Sequence, residues 1–184
     1  MNLLVEGRGL ALVRGGRLLF DELDVALGAG EGLHLTGPNG CGKSSLIRLI
    51  AGLLAPAAGE IVRAGAALAD DNLALDRELP LGEALALWRG PRIAEAMVAF
   101  DLQSLADIPV RMLSTGQARR ARLARVMASG APLWLLDEPL NGLDSANIDR
   151  LAMVIADHRA SGGGVVIASH APLAGAWRML DVAR

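Results

Sequence analysis

The chain opens with apolar and polar positions that alternate with a period of two. Apolar runs cover residues 10–13, 18–20 and 23–27; glycines at 15 and 16 separate the first two runs, and the stretch 28–30 closes the last. Alternation of this kind is typical of strands that bury one face, with glycines in the turns between them. The opening segment therefore predicts an antiparallel β-layer.

A strand, a loop and a helix are predicted next. The strand covers 33–36, a glycine-rich loop follows, and a helix from about Lys43 to Leu53 places one apolar face together. That face consists of Leu46, Ile47, Leu49, Ile50 and Leu53.

The rest of the chain predicts an α/β fold. Helical patterns cover 81–106 and 114–128, and the apolar runs 133–136 and 165–168 lack alternation, as in parallel strands buried on both faces. We expect one domain over 1–184. In it, 1–72 and 129–184 form the β-layer and a mostly parallel core, and 73–128 form an inserted small helical lobe.

Composition narrows the function. The 184 residues carry a net charge of -2, with 52% hydrophobic and 3% aromatic residues, so the core is aliphatic. Because the net charge is slightly negative, the protein as a whole does not attract nucleic acid electrostatically, and we do not expect nucleic acid as a partner. One cysteine, Cys41, excludes an internal disulfide and a Cys/His metal cage. Arginine occurs 17 times, whereas lysine occurs once, at Lys43. This suggests that position 43 requires a compact ammonium group, which a planar guanidinium cannot replace.

Targeting and membrane segments are not expected. The first ten residues contain Glu6 and Arg8 and lack the pattern of a leader, which predicts a cytosolic chain. The stretch 160–177 is free of Asp, Glu, Lys and Arg, but it contains three consecutive glycines and Pro172. We interpret it as a buried strand between loops, without direct membrane insertion.

The strongest motif lies between the predicted strand and helix. It reads Gly37-Pro38-Asn39-Gly40-Cys41-Gly42-Lys43-Ser44, followed by Ser45, and fits the P-loop pattern of a P-loop NTPase core. Backbone N–H groups and a helix N-terminus would surround a triphosphate such as ATP. Lys43 would reach the β- and γ-phosphates, and the Ser44 hydroxyl would bind Mg²⁺. The alternative is a glycine-rich turn at the end of a strand.

A second motif ends the buried strand at 133–136. Two carboxylates, Asp137 and Glu138, follow its apolar residues directly. Asp137 could hold Mg²⁺ through its water shell, and Glu138 could act as the general base on the attacking water. The alternative is an ordinary acidic turn in solvent.

The order of motifs resembles the ATP-binding subunits of ABC transporters. Between the P-loop and the Asp-Glu pair stands Leu113-Ser114-Thr115-Gly116-Gln117, with Thr115 where that family most often has Gly. The resemblance implies a homodimer in which Ser114, Gly116 and Gln117 clamp the γ-phosphate of ATP held by the other subunit. It also implies that His170 contacts the γ-phosphate, that residues 142–144 cross the dimer, and that ATP hydrolysis powers integral membrane subunits.

Flanking residues give a finer resemblance. The runs 107–110, 117–120 and 170–173 are similar to the ATP-binding subunit of the haem exporter complex of cytochrome c maturation. That resemblance implies work at the cytoplasmic face of the inner membrane, as a peripheral protein held by haem-handling membrane subunits.

The chain departs from the family at two positions. Asn72 stands where the family has a glutamine that contacts Mg²⁺ and the attacking water, so Asn72 is the expected replacement. The family stacks adenine on an aromatic residue before the P-loop, whereas this chain has Arg14 there, with Phe20 as the reserve. His34 and His158 match no motif, and we interpret them as a strand position and a helix surface.

Three other functions remain to be weighed. The chain could serve another ABC transporter, for lipoprotein or a small solute, and the motifs do not exclude this. A soluble ABC protein acting on ribosomes or DNA would need two nucleotide domains or a long coiled coil, for which 184 residues are too few. A hydrolysis-impaired regulator is suggested by the missing glutamine, and Glu138 argues against it.

Overall fold

The computed structural model describes residues 2–171 and 173–183, so Pro172 of the 170–173 run lies outside the described residues. One sheet is antiparallel, with strand order β2-β1-β4. A second, five-stranded sheet has the order β5-β6-β7-β3-β8, and all its pairs are parallel. The strands are β1 (Leu3–Arg14), β2 (Arg17–Gly28), β3 (Gly32–Thr36), β4 (Ala58–Arg63), β5 (Ala66–Ala69), β6 (Leu133–Asp137), β7 (Gly164–Ala168) and β8 (Arg178–Asp181).

The antiparallel layer predicted at the N-terminus is confirmed, with longer strands than expected. The separate runs 18–20 and 23–27 belong to one strand, β2, which pairs with β1 through irregular register. Gly15 and Gly16 both have positive φ, 57° and 74°, between the paired residues Arg14 and Arg17. This is the two-residue hairpin that glycine favours.

Helix α1 (Lys43–Ile50) is shorter than predicted and does not reach Leu53. Gly52 has a φ of 78°, and its N–H donates to the Leu49 carbonyl, while the Leu53 N–H donates to the Arg48 carbonyl. These two bonds form a Schellman motif, which ends the helix. Leu53 is 64% exposed and was wrongly placed on the apolar face.

The predicted helix over 81–106 is wrong as one element. It consists of α2 (Leu81–Ala86) and α3 (Ile93–Ala99), followed by a 3₁₀ turn at Gln103–Leu105. Gly90 and Pro91 interrupt the alanine-rich pattern between the two helices, since proline lacks the N–H that a continuing helix needs. The next predicted helix, by contrast, is confirmed as α4 (Thr115–Ala128). The last helix is α5 (Ser145–Ala160).

The parallel sheet is covered on both faces, as predicted. Side chains of β6 alternate between two apolar clusters: Leu133 and Leu135 pack with α1 and the β-layer, and Trp134 and Leu136 pack with the helices on the other face. The carboxyl ends of β3 and β6 lie at the same edge, because both strands pair in parallel with β7. This edge holds the P-loop and the two carboxylates.

His158 was wrongly expected on a helix surface. The residue is only 8% exposed, and its ring stacks on Trp134, with ring centroids 3.8 Å apart and an interplanar angle of 8°. The last turn of α5 faces the sheet there, and burial lowers the pKa of His158.

Candidate nucleotide-binding site

Glycine is required at two positions of the loop between β3 and α1. Gly37 and Gly42 have φ of 128° and 116°, a region that other residues rarely adopt. A Cβ at Gly37 would lie 2.8 Å from the Cys41 sulfur, and one at Gly42 would lie 3.1 Å from the Phe20 ring. The loop therefore packs against itself and against β2, and Cys41 is part of that packing.

Lys43 points back into this loop. Its ammonium donates to the carbonyl of Gly37 at 2.7 Å and to that of Pro38 at 3.0 Å, and the residue is 8% exposed. In these two hydrogen bonds the acceptors are neutral carbonyl groups, so the bonds do not neutralise the positive charge of the ammonium. A negatively charged group in the loop would be attracted to it.

Ser44 and Asp137 bring two oxygen donors together. The Ser44 hydroxyl, in the first turn of α1, donates to Asp137 Oδ1 at the end of β6, 3.0 Å away. Burial raises the pKa of Asp137, and the hydrogen bond from Ser44 opposes that rise. A hydroxyl and a carboxylate at this distance are oxygen donors of the kind that Mg²⁺ prefers.

Glu138 is held in an unusual backbone conformation. Its φ is 48°, and its N–H donates to the Ala168 carbonyl at the end of β7, 2.8 Å away. A non-glycine residue at positive φ is strained, and such strain is common at functional sites. Its carboxylate Oε1 lies 3.5 Å from His170 Nε2, so an acid and an imidazole face each other.

Lys43, Ser44, Glu138 and His170 line one cleft of about 560 Å³; Asp137, bonded to Ser44, is not part of its lining. The predicted site residues that line it are Arg14, Asn39, Gly40, Gly42, Lys43, Ser44, Ser45, Glu138 and His170. Leu19 and Asn141 also line it and were missed from the sequence. Asn141 stands three positions after Glu138, and its N–H donates to the Glu138 carbonyl, so a turn after the acidic pair was the available signal.

Arg14 and Phe20 differ in their relation to the cleft. The Arg14 guanidinium reaches it and donates to the Ser45 hydroxyl at 3.3 Å. Phe20 is 3% exposed and lies behind Gly42, so it offers no free ring face to the cleft. Leu19 occupies the position beside the loop instead.

The predicted clamp residues lie outside this cleft. Ser114 is the N-cap of α4, its hydroxyl accepts from the Gln117 N–H, and the Gln117 side chain accepts from the Ser114 N–H. This reciprocal pair is a capping box. Ser114 and Gly116 are exposed, and nothing lies within 4 Å of a Cβ built at Gly116. The N-terminus of α4 is thus exposed, and the capping hydrogen bonds already hold its first turn in place.

Asn72 also lies outside the cleft. Its backbone N–H and its side-chain amide both donate to the Asp70 carboxylate, at 3.0 and 3.4 Å. It lines a different, mainly apolar cavity beside Trp88 and Arg125. Its role as a magnesium ligand stays a prediction.

Within residues 2–171 and 173–183, no helix has the length and apolar character needed to cross a bilayer.

Comparison with known proteins places the chain in a family. The family model described as ABC transporter matches residues 20–141. A relative from Sphingopyxis alaskensis, "Cytochrome c biogenesis ATP-binding export protein CcmA", is 56% identical over 181 residues, which cover 95% of this chain and 93% of the relative. A relative with the same name from Novosphingobium aromaticivorans is 58% identical and covers 90% of this chain and 87% of its own length.

Solved structures agree with this placement. An ATP-binding subunit of an ABC transporter aligns with a TM-score of 0.83 at 25% identity and covers 91% of this chain and 79% of its own. The α/β P-loop fold with its antiparallel layer is confirmed. The chain therefore belongs to the ABC transporter ATP-binding family, among the CcmA proteins of cytochrome c biogenesis.

Proposed function

We propose that the cleft binds Mg²⁺-ATP and hydrolyses it. One observation carries the proposal: the lysine, the Ser44 and Asp137 pair, and the Glu138 and His170 pair converge on one edge of the sheet from three separate parts of the chain. Phosphoryl hydrolysis needs a group to hold the phosphates, ligands for a cation and a base for water. The cleft contains residues suited to each task.

The P-loop would hold the phosphates. Its backbone from Gly37 to Ser45 would curl around them, and Lys43 would leave the Gly37 and Pro38 carbonyls to bind the β- and γ-phosphates. The residues proposed to bind ATP here are Gly37, Pro38, Asn39, Gly40, Cys41, Gly42, Lys43, Ser44 and Ser45. Arg14 would stack its guanidinium on the adenine, supported by its place at the cleft wall.

Ser44 and Asp137 would hold the cation, with Asn72 as a third, outer contact. A divalent cation held there would supply positive charge to neutralise the phosphate oxygens. Asn72 would have to leave Asp70 and turn inward, which a movement of its loop could produce. Glu138 would accept a proton from the attacking water, and His170, 3.5 Å from Glu138, would contact the γ-phosphate.

A second copy of the chain would complete the site. Ser114, Gly116 and Gln117 would clamp the γ-phosphate of ATP bound by the other subunit. Their exposure at the N-terminus of α4 supports this, since the helix end attracts anions and space above Gly116 is open. A solved cassette of the same fold, with a TM-score of 0.80 at 22% identity, is described as dimeric and bound to ADP and Pi; it covers 91% of this chain and 88% of its own.

The cellular role we propose is that of the ATP-hydrolysing subunit of the haem exporter of c-type cytochrome biogenesis. The relatives' shared name supports it. The homodimer would sit at the cytoplasmic face of the inner membrane, held by integral membrane subunits. In this arrangement, 1–72 and 129–184 carry the ATP and 73–128 form the lobe that moves against them.

Replacement of the chromosomal gene tests this role. A strain that carries Glu138→Gln in place of wild type should lose covalent haem staining of its c-type cytochromes and keep its b-type cytochromes, while wild type supplied on a plasmid restores the staining. Normal c-type cytochromes together with loss of another transport activity would indicate a different ABC transporter. The neighbouring genes provide a second test, because haem-handling membrane subunits are expected beside this gene.

A second candidate is a nucleotide-binding regulator without hydrolysis. It is favoured by the position of Asn72, which lies outside the cleft. ATP binding without turnover, in the presence as in the absence of the membrane subunits, would support this candidate.

A further inference from the structure

His34 connects the strand before the P-loop to the residue before His170. His34 lies in β3 and pairs with Ile167 of β7 in parallel register. Its Nε2 lies 2.8 Å from the carbonyl oxygen of Ser169, so an Nε2–H tautomer donates a hydrogen bond to it. The ring of Trp177 packs edge-on against the imidazole, with centroids 6.4 Å apart.

The end of β7 is therefore held from both neighbouring strands. On the β6 side, the N–H of Glu138, the residue after that strand, donates to the Ala168 carbonyl at 2.8 Å. From β3, His34 binds the next carbonyl, that of Ser169, at the same distance. The Ser169 hydroxyl then closes a tight turn by bonding to the N–H and the carbonyl of Ala171. His170 stands inside this turn.

The His170 side chain is itself loosely held. It is 59% exposed, and its 3.5 Å separation from Glu138 exceeds an ordinary hydrogen bond. Its place in the cleft thus depends on the backbone that carries it. The bond from His34 to that backbone comes from a side chain in the strand that leads directly into the P-loop.

We propose that His34 is a positioning residue for His170. By holding the Ser169 carbonyl, it fixes the backbone from which the His170 imidazole reaches the cleft, and it couples that imidazole to the strand that carries the phosphate loop. The inference rests on the proposed function, because it assigns His34 to the same ATP site. His34 itself does not line that cleft, so it acts through the turn.

Three variants of the full chain test this. His34→Leu removes the donor at similar size, and His34→Gln keeps a donor on a side chain of similar reach. Thr36→Val is the matched control, because the Thr36 hydroxyl also bonds from β3 to a backbone carbonyl, that of Leu180 in β8, 3.2 Å away. The readouts are kcat for ATP hydrolysis, the Kd for ATP and the melting temperature.

We expect His34→Leu to lower kcat roughly 10-fold with the Kd for ATP unchanged within about 2-fold, since a misplaced group slows the chemical step more than it weakens binding. His34→Gln should restore kcat to within about 3-fold of wild type, because the donor returns. Thr36→Val should lower the melting temperature as much as His34→Leu does and leave kcat near wild type. In a His170→Ala background, His34→Leu should add no further loss, because both changes remove the same contribution.

A kcat of His34→Leu equal to that of wild type would overturn the inference. So would a fall in kcat on adding His34→Leu to His170→Ala that is as large as the fall it causes in wild type. The proposed function fails in a different way: wild type would then hydrolyse ATP no faster than Lys43→Ala. If Lys43→Ala is inactive and His34→Leu is unaffected, the ATP site stands and only the role of His34 is wrong.

Discussion

The Ser44 hydroxyl donates a hydrogen bond to the Asp137 carboxylate, 3.0 Å away, and so joins the first turn of α1 to the end of β6. The two residues are 93 positions apart in the chain. Burial raises the pKa of Asp137, whereas the Ser44 bond lowers it. Burial therefore makes the charge of this carboxylate unfavourable, and such a site is expected to reduce the stability of the nucleotide-free protein.

Replacement of this carboxylate should stabilise the nucleotide-free protein. Asp137→Asn keeps an acceptor for Ser44 and removes a group whose ionised form is disfavoured by burial. Because the folded pKa is raised, wild type loses stability as the pH rises from the ordinary value of 3.8 through the folded pKa. We expect a higher melting temperature for Asp137→Asn at neutral pH, an advantage that shrinks in acid, and loss of ATP hydrolysis.

Melting curves at several pH values measure this. Asp144→Asn is the control, because Asp144 is an exposed N-cap of α5 and asparagine caps a helix equally well. A lower melting temperature for Asp137→Asn than for wild type at neutral pH would contradict the prediction.

Lys43→Ala should abolish ATP hydrolysis. The ammonium is the positive charge that would contact the phosphates, and its loss removes most of the charge stabilisation in the transition state, by about 10²-fold or more in kcat. Lys43→Arg should fail as well, since a planar guanidinium does not fit the space between the Gly37 and Pro38 carbonyls. Steady-state phosphate release measures the rates. A kcat of Lys43→Ala within a few-fold of wild type would contradict the proposal that this loop binds the phosphates of ATP.

Glu138→Gln should trap a dimer. The phosphate and cation contacts remain while the base is removed, so ATP binds and is not consumed. Size-exclusion chromatography with ATP should then show a dimer that dissociates when ATP is withdrawn. In the control, Ser114→Arg added to Glu138→Gln should keep the protein monomeric, because a large side chain blocks the exposed start of α4. A monomer at all ATP concentrations without this block would argue against composite sites.

Asn72→Ala should impair coupling to the membrane subunits more than ATP binding. Asn is one methylene shorter than Gln and reaches roughly 1.5 Å less. Since Asn72 is bonded to Asp70 outside the cleft, slow basal hydrolysis and stimulation by the membrane subunits are expected of wild type, as the subunits press the loop inward. Asn72→Ala should retain the basal rate and lose most of the stimulation.

A matched asparagine controls for the loss of a local turn. Asn147 also bonds through its amide to a nearby carboxylate, that of Asp144 at 2.8 Å, and it lies on α5. Asn147→Ala should leave stimulation intact. Equal stimulation of Asn72→Ala and wild type would mean that Asn72 only makes a polar turn.

His158 should make the protein less stable in mild acid. Its pKa is lowered by burial, so the unfolded chain binds a proton more readily than the folded one. The contribution of neutral His158 to the free energy of unfolding is therefore complete above the ordinary pKa of 6.5 and is lost as the pH falls below it. His158→Phe, which keeps an aromatic ring against Trp134, should show a flatter dependence of melting temperature on pH from about 7 to about 5. Parallel curves for the two proteins would refute this.

The local elements that carry the site residues could be predicted from the amino-acid pattern alone. Residues 37–42 form a loop that contains glycines at 37, 40 and 42, and helix α1 begins at Lys43. Asp137 and Glu138 end a strand whose apolar run is visible in the sequence. Ser114 and Gln117 cap α4 through bonds over three residues. The loop, the end of the strand and the start of the helix depend on neighbours in the chain, which is why pattern and spacing were sufficient to predict where they lie; the capping bonds of Ser114 and Gln117 were not predicted.

Which of these features meet depends on the packing of the whole domain. Strands β4, β5 and β8 were missed because they are short or lie at sheet edges, where apolar alternation is weak. Asn72 turned away from the cleft because Asp70, two residues earlier, binds its amide. His158 was buried because α5 lays its last turn on Trp134 of β6, and His34 reached Ser169 because β3 lies beside β7. Strand order and helix docking are set by the burial of apolar faces across the whole domain, and no local pattern encodes them.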